Sequence, residues 1–147
     1  MEFSESRELG ASRQDVWALV AEPYHLPDWW PAYHGVQPDR RGLAKDARWT
    51  VRRAPAAGFL AQASWRRPES EGLIVIRLVD PGLELAWYDV QQQLDVRLAL
   101  ANAGEGRTRA TVTVSGPWWR LLSEGASSLP ERSLQRLHDL CQTAVSL

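Results

Sequence analysis

The alternation of hydrophobic and polar positions predicts a first strand followed by two short helices. The segment Phe3 to Leu9 alternates weakly and carries several charges, which is typical of an edge strand with one hydrated face. Ser12 is a predicted helix N-cap, because its hydroxyl can accept a hydrogen bond from the amide three residues later. Pro23 favours a second helical start, and Pro31 ends that second helix.

Between residues 32 and 115 the pattern changes to short segments separated by turn signals, which indicates an antiparallel meander. The alternation within the last of these segments predicts a sheet with a dry side and a hydrated side. The segment Phe59 to Arg66 can also be a continuation of the loop before it. The predicted strands are Gly35 to Asp39, Ala47 to Arg53, Phe59 to Arg66, Leu73 to Val79, Leu83 to Val90, Leu94 to Leu100 and Arg107 to Ser115.

Residues 116 to 147 have the pattern of one long helical segment that begins at Pro117. Pro130 is expected to kink or restart the helix, because it lacks an N–H and its ring clashes with the preceding turn. Beyond it an apolar stripe recurs at helical spacing, formed by Leu134, Leu137, Cys141 and Ala144. The predicted fold is therefore α+β: a curved antiparallel sheet of about seven strands, two short helices after the first strand, and a long C-terminal helix enclosing a cavity.

The composition of the chain indicates how many domains it has and which classes of partner are not expected. The 147 residues match a single domain, 1–147, and 17 basic against 18 acidic residues leave a net charge of −1, so nucleic acid is not an expected partner. The N-terminus lacks a signal-peptide pattern and no stretch approaches the ~18 apolar residues of a membrane span, which predicts a cytoplasmic protein. Three arginine pairs, at 40–41, 52–53 and 66–67, are interpreted as solvated strand ends, with a phosphate or anionic-lipid patch as the alternative.

Tryptophan gives the clearest functional signal, with eight in the chain and two adjacent pairs, Trp29-Trp30 and Trp118-Trp119. Consecutive side chains point in different directions, so one member of each pair is expected to face inward. The alternative for Trp17, Trp49 and Trp87 is that they fill the core. The predicted ligand-binding residues are Trp30, Tyr33, Trp49, Trp87, Trp118, Trp119, Leu122, Leu137 and Cys141.

Candidate catalytic residues are few, namely His34, Asp89 and His138. An aldol-type cyclisation needs an acid and a base, and imidazole titrates near neutral pH. The alternative is that the histidines are solvated surface residues. Whether Asp89 faces the cavity depends on strand register: it does so if Leu85 and Trp87 face inward, and Tyr88 does so instead if the register is shifted by one. No spacing of ligands predicts a metal site, and no cofactor is expected.

The order of elements and three strings resemble a known family, the START-related helix-grip superfamily, also called SRPBCC. The strings are GASRQDVWALVAEPYHLPDWWP (Gly10 to Pro31), VDPGLELAW (Val79 to Trp87) and GEGRTRATVTVSG (Gly104 to Gly116). The resemblance covers essentially the whole chain and implies a helix-grip fold with a deep apolar cavity between the sheet and the last helix. Members of the family include ligand carriers, lipid-transfer domains and polyketide cyclase/dehydrase proteins, so the resemblance specifies the fold better than the function.

Three functional hypotheses follow. The first is a protein that binds a small hydrophobic or aromatic molecule, lipid or polyketide-like, as a monomer or homodimer. The second is a polyketide cyclase/dehydratase-type enzyme acting on an aromatic precursor, which needs at least two titratable side chains within reach of the substrate. The third is a protein-partner module that uses exposed tryptophans, as exposed apolar patches often do.

Overall fold

A computed structural model describes residues 1–53, 70–122 and 125–145. Within these ranges seven antiparallel strands form one open curved sheet, in the order β1-β7-β6-β5-β4-β3-β2. The strands are β1 Glu2–Leu9, β2 Tyr33–Gln37, β3 Arg48–Arg53, β4 Ser70–Asp80, β5 Glu84–Asp89, β6 Leu94–Asn102 and β7 Thr108–Ser115. The predicted α+β meander and the edge position of β1 are confirmed, while the predicted strand Phe59 to Arg66 lies outside the described residues.

Two short helices follow β1, as the sequence predicts. They are α1, Arg13–Ala21, and α2, Leu26–Trp29, with a 3₁₀ turn over Pro23–His25 between them. The Ser12 hydroxyl caps α1 by accepting a hydrogen bond from the Asp15 amide at 3.2 Å. The local chemistry of caps and prolines therefore sets the boundaries of this region.

Residues 116–122 and 125–145 contain two helices, where the sequence pattern indicated one long segment. Helix α3 covers Trp118–Leu121, a 3₁₀ turn covers Ala126–Ser128, and α4 covers Leu129–Val145. Gly125 has a φ of 72°, a left-handed conformation that interrupts the helical path before α4. Pro130 lies in the first turn of α4, which confirms the predicted restart.

Helix α4 packs against β1, β7 and α2 on one face of the sheet, here called the inner face. Three residues of its apolar stripe, Leu134, Leu137 and Cys141, are all under 5% exposed. Alternate residues of the strands supply the opposing surface, and β7 has the alternating burial that its sequence predicts. No helix in the described ranges has the length and hydropathy needed to cross a membrane.

Candidate functional site

Four aromatic rings form a buried cluster on the inner face of the sheet: Trp29, Trp30, Tyr33 and Trp87. The ring centroids of Trp30 and Trp87 are 5.2 Å apart and those of Trp29 and Trp87 are 5.7 Å apart, both nearly perpendicular. Edge-to-face pairs of this kind contribute about 0.5–1.5 kcal/mol each beyond their buried area. The cluster is therefore a tightly specified part of the core, and Trp87 lies at its centre.

Both tryptophans of the first pair face inward, so the expectation that one would face outward is wrong. Trp29 is the last residue of α2, whereas Trp30 has extended backbone angles of φ −105° and ψ 108°. The change from helix to extended chain between the two residues turns the second side chain towards the same side as the first. The expectation is also wrong for Trp118 and Trp119, which are both on the surface, 64% and 46% exposed.

A polar network adjoins the cluster. The Tyr33 hydroxyl donates a hydrogen bond to Asp89 Oδ2 at 2.7 Å, and it accepts one from Trp87 Nε1 at 3.1 Å. Arg53 Nη2 forms an ion pair with the same carboxylate oxygen of Asp89. The Gln92 amide donates to Asp89 Oδ1 at 3.1 Å. Asp89 is thus held by three donors inside the protein, where it is only 3% exposed.

The register of β5 settles the two alternatives that the sequence left open. Leu85, Trp87 and Asp89 are buried on the inner face, and Ala86 and Tyr88 lie on the outer face. Asp89 is therefore part of the aromatic site. Because Asp89 is the last residue of β5, its Oδ1 atom can accept a hydrogen bond from the backbone of the following turn.

Strand pairing brings Arg53 and Tyr33 to Asp89. Tyr33 is aligned with Arg53 in the β2–β3 ladder, and Ile74 is aligned with Asp89 in the β4–β5 ladder. Gly72 makes room for the arginine, because a Cβ atom at that position would lie 2.9 Å from Arg53 Nη1. The three polar side chains therefore meet at one end of the sheet, where β2 begins and β3 and β5 end.

Arg53 is the site residue that the sequence analysis missed, because it was interpreted as a solvated strand end. The available signal was its spacing: it follows Trp49 and Val51 at the two-residue period of a strand, and these three residues are buried. An arginine in phase with a tryptophan and a valine lies on the dry face of the strand.

The pKa of Tyr33 is raised well above its usual value, mainly because burial disfavours the phenolate and also because the Asp89 carboxylate lies beside it. The hydroxyl therefore stays protonated and acts as a donor. The positive charge of Arg53 neutralises the negative charge of Asp89. The network as a whole is neutral, although it contains two formal charges.

The other predicted residues lie in several places. Trp49 is buried and its indole N–H donates to the Gly42 carbonyl oxygen at 2.8 Å. Leu137 and Cys141 belong to the buried stripe of α4, and burial raises the pKa of the Cys141 thiol, with a smaller contribution from the charge of Asp15. Leu122, at 64% exposed, lies on the surface with the second tryptophan pair.

The two candidate histidines lie apart from the polar network. His34 is exposed, on the opposite face of β2 from Tyr33. His138 is partly buried on α4, with its Nδ1 atom 3.5 Å from Asp139 Oδ1. Within the described part of the chain neither histidine forms a hydrogen bond or ion pair with Asp89, and no group of three or more potential metal ligands occurs there.

The second tryptophan pair forms an exposed surface at the same end of the sheet as the network. This surface, the α3 patch, consists of Trp118, Trp119 and Leu122. The guanidinium of Arg120 lies over the Trp119 ring, 5.2 Å from its centroid, and its Nε is 3.5 Å from Gln93 Oε1. Gln93 belongs to the turn that follows β5, so only a few residues separate the α3 patch from the buried carboxylate.

The outer face of the sheet carries an open groove of about 320 Å³. Its lining mixes charges of both signs, from Arg77, Asp95 and Arg97 among others. An open groove with these charges does not suit an apolar ligand, and it lies on the other side of the sheet from the aromatic cluster.

No protein-family model matches the sequence, and no curated protein matches it significantly. Solved structures match over nearly the whole chain. Protein Ms6760 from Mycobacterium smegmatis is 16% identical, with 97% of this chain and 92% of that chain covered and a TM-score of 0.71. A protein from Arthrobacter aurescens is 14% identical, with 97% and 86% covered and a TM-score of 0.73. Protein NE0264 from Nitrosomonas europaea is 15% identical, with 100% and 97% covered and a TM-score of 0.72.

At these identities the similarity concerns the fold alone. The shared arrangement is a curved antiparallel sheet closed by a C-terminal helix, which is compatible with the helix-grip fold. The names of the three proteins state no ligand and no reaction. Any functional conclusion therefore depends on the side chains of the site.

Proposed function

We propose that the protein binds a small hydrophobic or aromatic molecule, lipid or polyketide-like, between the inner face of the sheet and α4. The observation that carries the proposal is the network of Tyr33, Arg53 and Asp89 beside an aromatic cluster. A buried ion pair is often no more stabilising than apolar residues of the same volume, so stability alone is a poor reason for one here. Ligand sites in proteins combine apolar walls with a few convergent polar groups, which is the composition of this region.

The assignment to the START-related, or SRPBCC, superfamily is part of the same proposal. It is supported by the element order, by the strings around the two short helices and the β6–β7 hairpin, and by a last helix that packs against β1 and β7 on one face of the sheet. Members of this superfamily hold their ligands between the sheet and that helix. The aromatic cluster and the polar network lie on the corresponding face of this chain.

Binding is favoured over catalysis by the state of Asp89. An enzyme of the polyketide cyclase/dehydratase type needs a group that can take a proton from its substrate. Asp89 already accepts hydrogen bonds from Tyr33, Arg53 and Gln92, which occupies most of its lone pairs. Tyr33, as a protonated phenol, can donate to a substrate oxygen only by leaving Asp89. The alternative enzymatic function therefore requires this network to rearrange.

A second candidate function, a protein-partner module, is favoured by the α3 patch. Trp118 and Leu122 are each 64% exposed and Trp119 is 46% exposed. Tryptophan is enriched among the residues that dominate binding energy at interfaces. Contiguous exposed apolar side chains of this size mark interaction surfaces more often than isolated ones do.

One experiment separates these functions. Native mass spectrometry of the purified protein, followed by calorimetric titration with fatty acids, flavonoids and polyketide-like aromatics, tests for a bound small molecule. We expect saturable binding at one equivalent that is weakened in Trp87→Phe and unchanged in Trp118→Ala. Chemical conversion of the bound compound would indicate the enzyme.

The absence of a bound small molecule would contradict the proposal. If no compound co-purifies and none of the panel binds saturably, the site is not a ligand site. Loss of association with a protein partner in Trp118→Ala, with Trp87→Phe unaffected, would then support the partner module.

A further inference from the structure

Two buried donors near the aromatic cluster have no acceptor within the described part of the chain. The Trp29 side chain is 0% exposed and Arg53 is 9% exposed. Trp29 Nε1 and Arg53 Nε form no hydrogen bond in the described structure. Because more than nine in ten buried polar groups in folded proteins are paired, two unpaired donors in one region need an explanation.

Both side chains adjoin the same pair of residues. The Trp29 ring lies 5.7 Å from that of Trp87, and the Arg53 guanidinium carbon lies 5.7 Å from the centre of the Tyr33 ring. Tyr33 and Trp87 are themselves joined by a hydrogen bond of 3.1 Å. Each unpaired N–H group therefore belongs to a side chain that contacts the Tyr33–Trp87 pair.

The chemistry of these groups selects the ligand. An indole N–H and a guanidinium Nε–H donate hydrogen bonds and accept none, so each requires a lone pair from its partner. Arg53 is already compensated in charge by Asp89. An anionic ligand would bring a charge without a counter-charge into a buried site, which is costly. An uncharged oxygen satisfies the donors without that cost.

We propose that the ligand is an uncharged, largely aromatic molecule with at least one carbonyl oxygen that accepts a hydrogen bond from Arg53 Nε or Trp29 Nε1. This inference rests on the proposed binding function and adds the polarity and charge of the ligand. It excludes free carboxylic acids, such as fatty acids in their ionised form, as the preferred ligands.

Three compounds of matched shape test this inference: 2-acetylnaphthalene, 2-ethylnaphthalene and 2-naphthoate. The first is neutral with a carbonyl oxygen, the second is neutral without an acceptor, and the third is an anion at pH 7.5. We expect calorimetric titration to give the tightest binding for 2-acetylnaphthalene, by about fivefold to tenfold over 2-ethylnaphthalene, as one hydrogen bond to a buried donor provides. We expect 2-naphthoate to bind most weakly.

Variants identify the donor. Trp29→Phe keeps an aromatic ring and removes Nε1–H, and Arg53→Lys keeps the positive charge and removes Nε–H. The preference for the carbonyl compound should disappear in at least one of them. Trp17→Phe is the matched control, since it removes an indole N–H from the partly buried face of α1, outside the cluster. If Arg53→Lys does not fold, Trp29→Phe and the ligand series on the unmodified protein still decide the question.

The outcomes separate the two proposals. Equal binding of the acetyl and ethyl compounds leaves the binding function standing and overturns this inference, because water then satisfies the donors. Tightest binding of 2-naphthoate overturns it as well. A carbonyl preference that survives in both donor variants also contradicts it. If none of the three compounds binds while a fatty acid, flavonoid or polyketide-like aromatic does, this inference fails and the binding function stands. If nothing binds at all, the proposed function fails as well.

Discussion

The chain contains the dipeptide Trp-Trp twice, and the two copies have opposite surroundings. Each adjoins a helix of four residues, α2 for the first and α3 for the second. Trp29 and Trp30 are 0% and 1% exposed, whereas Trp118 and Trp119 are 64% and 46% exposed. The same two side chains thus form the centre of the core at one position and an apolar surface at the other.

The difference lies in where each pair meets its helix. Trp29-Trp30 spans the end of α2, and the change to extended backbone directs both rings to the inner face. Trp118-Trp119 begins α3, directly after Pro117, and both side chains are exposed within the described part of the chain. The backbone conformation at each Trp-Trp pair therefore determines whether its side chains are buried. The first pair contributes to stability, and the second leaves apolar area open to contact with another molecule.

The largest effect is expected for Trp30→Ala. Truncating a buried aromatic side chain costs about 3–5 kcal/mol, because transfer free energy and a cavity both contribute. Urea denaturation should therefore give a free energy of unfolding about 4 kcal/mol below that of the unmodified protein. A loss as small as that of a surface substitution would mean that the first pair is not a core element.

The next effect concerns the polar network beside the first pair. Asp89→Ala leaves the Arg53 guanidinium buried without its counter-charge, and removal of one partner of such a pair costs about 3 kcal/mol or more. The double variant Arg53→Met, Asp89→Leu should unfold at a higher urea concentration than Asp89→Ala, since it leaves no uncompensated charge. Equal destabilisation of both variants would show that packing alone accounts for the loss.

A smaller and pH-dependent effect is expected for Tyr33→Phe, which removes two buried hydrogen bonds and costs about 1–2 kcal/mol. The pKa of Tyr33 is raised from 10.0 in the folded state by burial, so the unfolded chain releases this proton first. The contribution of this proton to the free energy of unfolding is therefore fully present below pH 10, and it decreases as the pH rises above 10. Urea titrations from pH 8 to 11 should show a shallower fall for Tyr33→Phe. The exposed Tyr24→Phe is the control and should follow the unmodified protein.

The smallest effect on stability is expected for Trp118→Ala and Trp119→Ala. Surface substitutions of this kind usually change the free energy of unfolding by less than about 0.5 kcal/mol. Urea midpoints of both variants should remain close to that of the unmodified protein. A loss of more than about 1 kcal/mol would mean that the α3 patch is covered by part of the chain, and the contrast between the pairs would fail.

Sequence reasoning succeeded where short-range chemistry decides the structure. The Ser12 cap, the restart at Pro130 and the alternating burial of β7 depend on residues within a few positions of one another. For Arg53 the two-residue period with Trp49 and Val51 indicated a buried side chain, but its partner, Asp89, lies 36 residues away and was not indicated by any local pattern. The Tyr33–Asp89 bond spans 56 residues. Contacts of this range depend on strand register, which a local pattern does not specify.

The pairing of β1 with β7 has a consequence for synthesis of the chain. β1 lies at an edge and β7 is its partner in the sheet, so Leu9 meets Thr108 only after about a hundred further residues are made. At translation rates of 5–20 residues per second β1 waits about 5–20 s for its partner. Its exposed charges, Glu2, Glu5 and Glu8, disfavour pairing with a neighbouring nascent chain. We therefore expect the charges of this strand to limit association between nascent chains until β7 is available to pair with it.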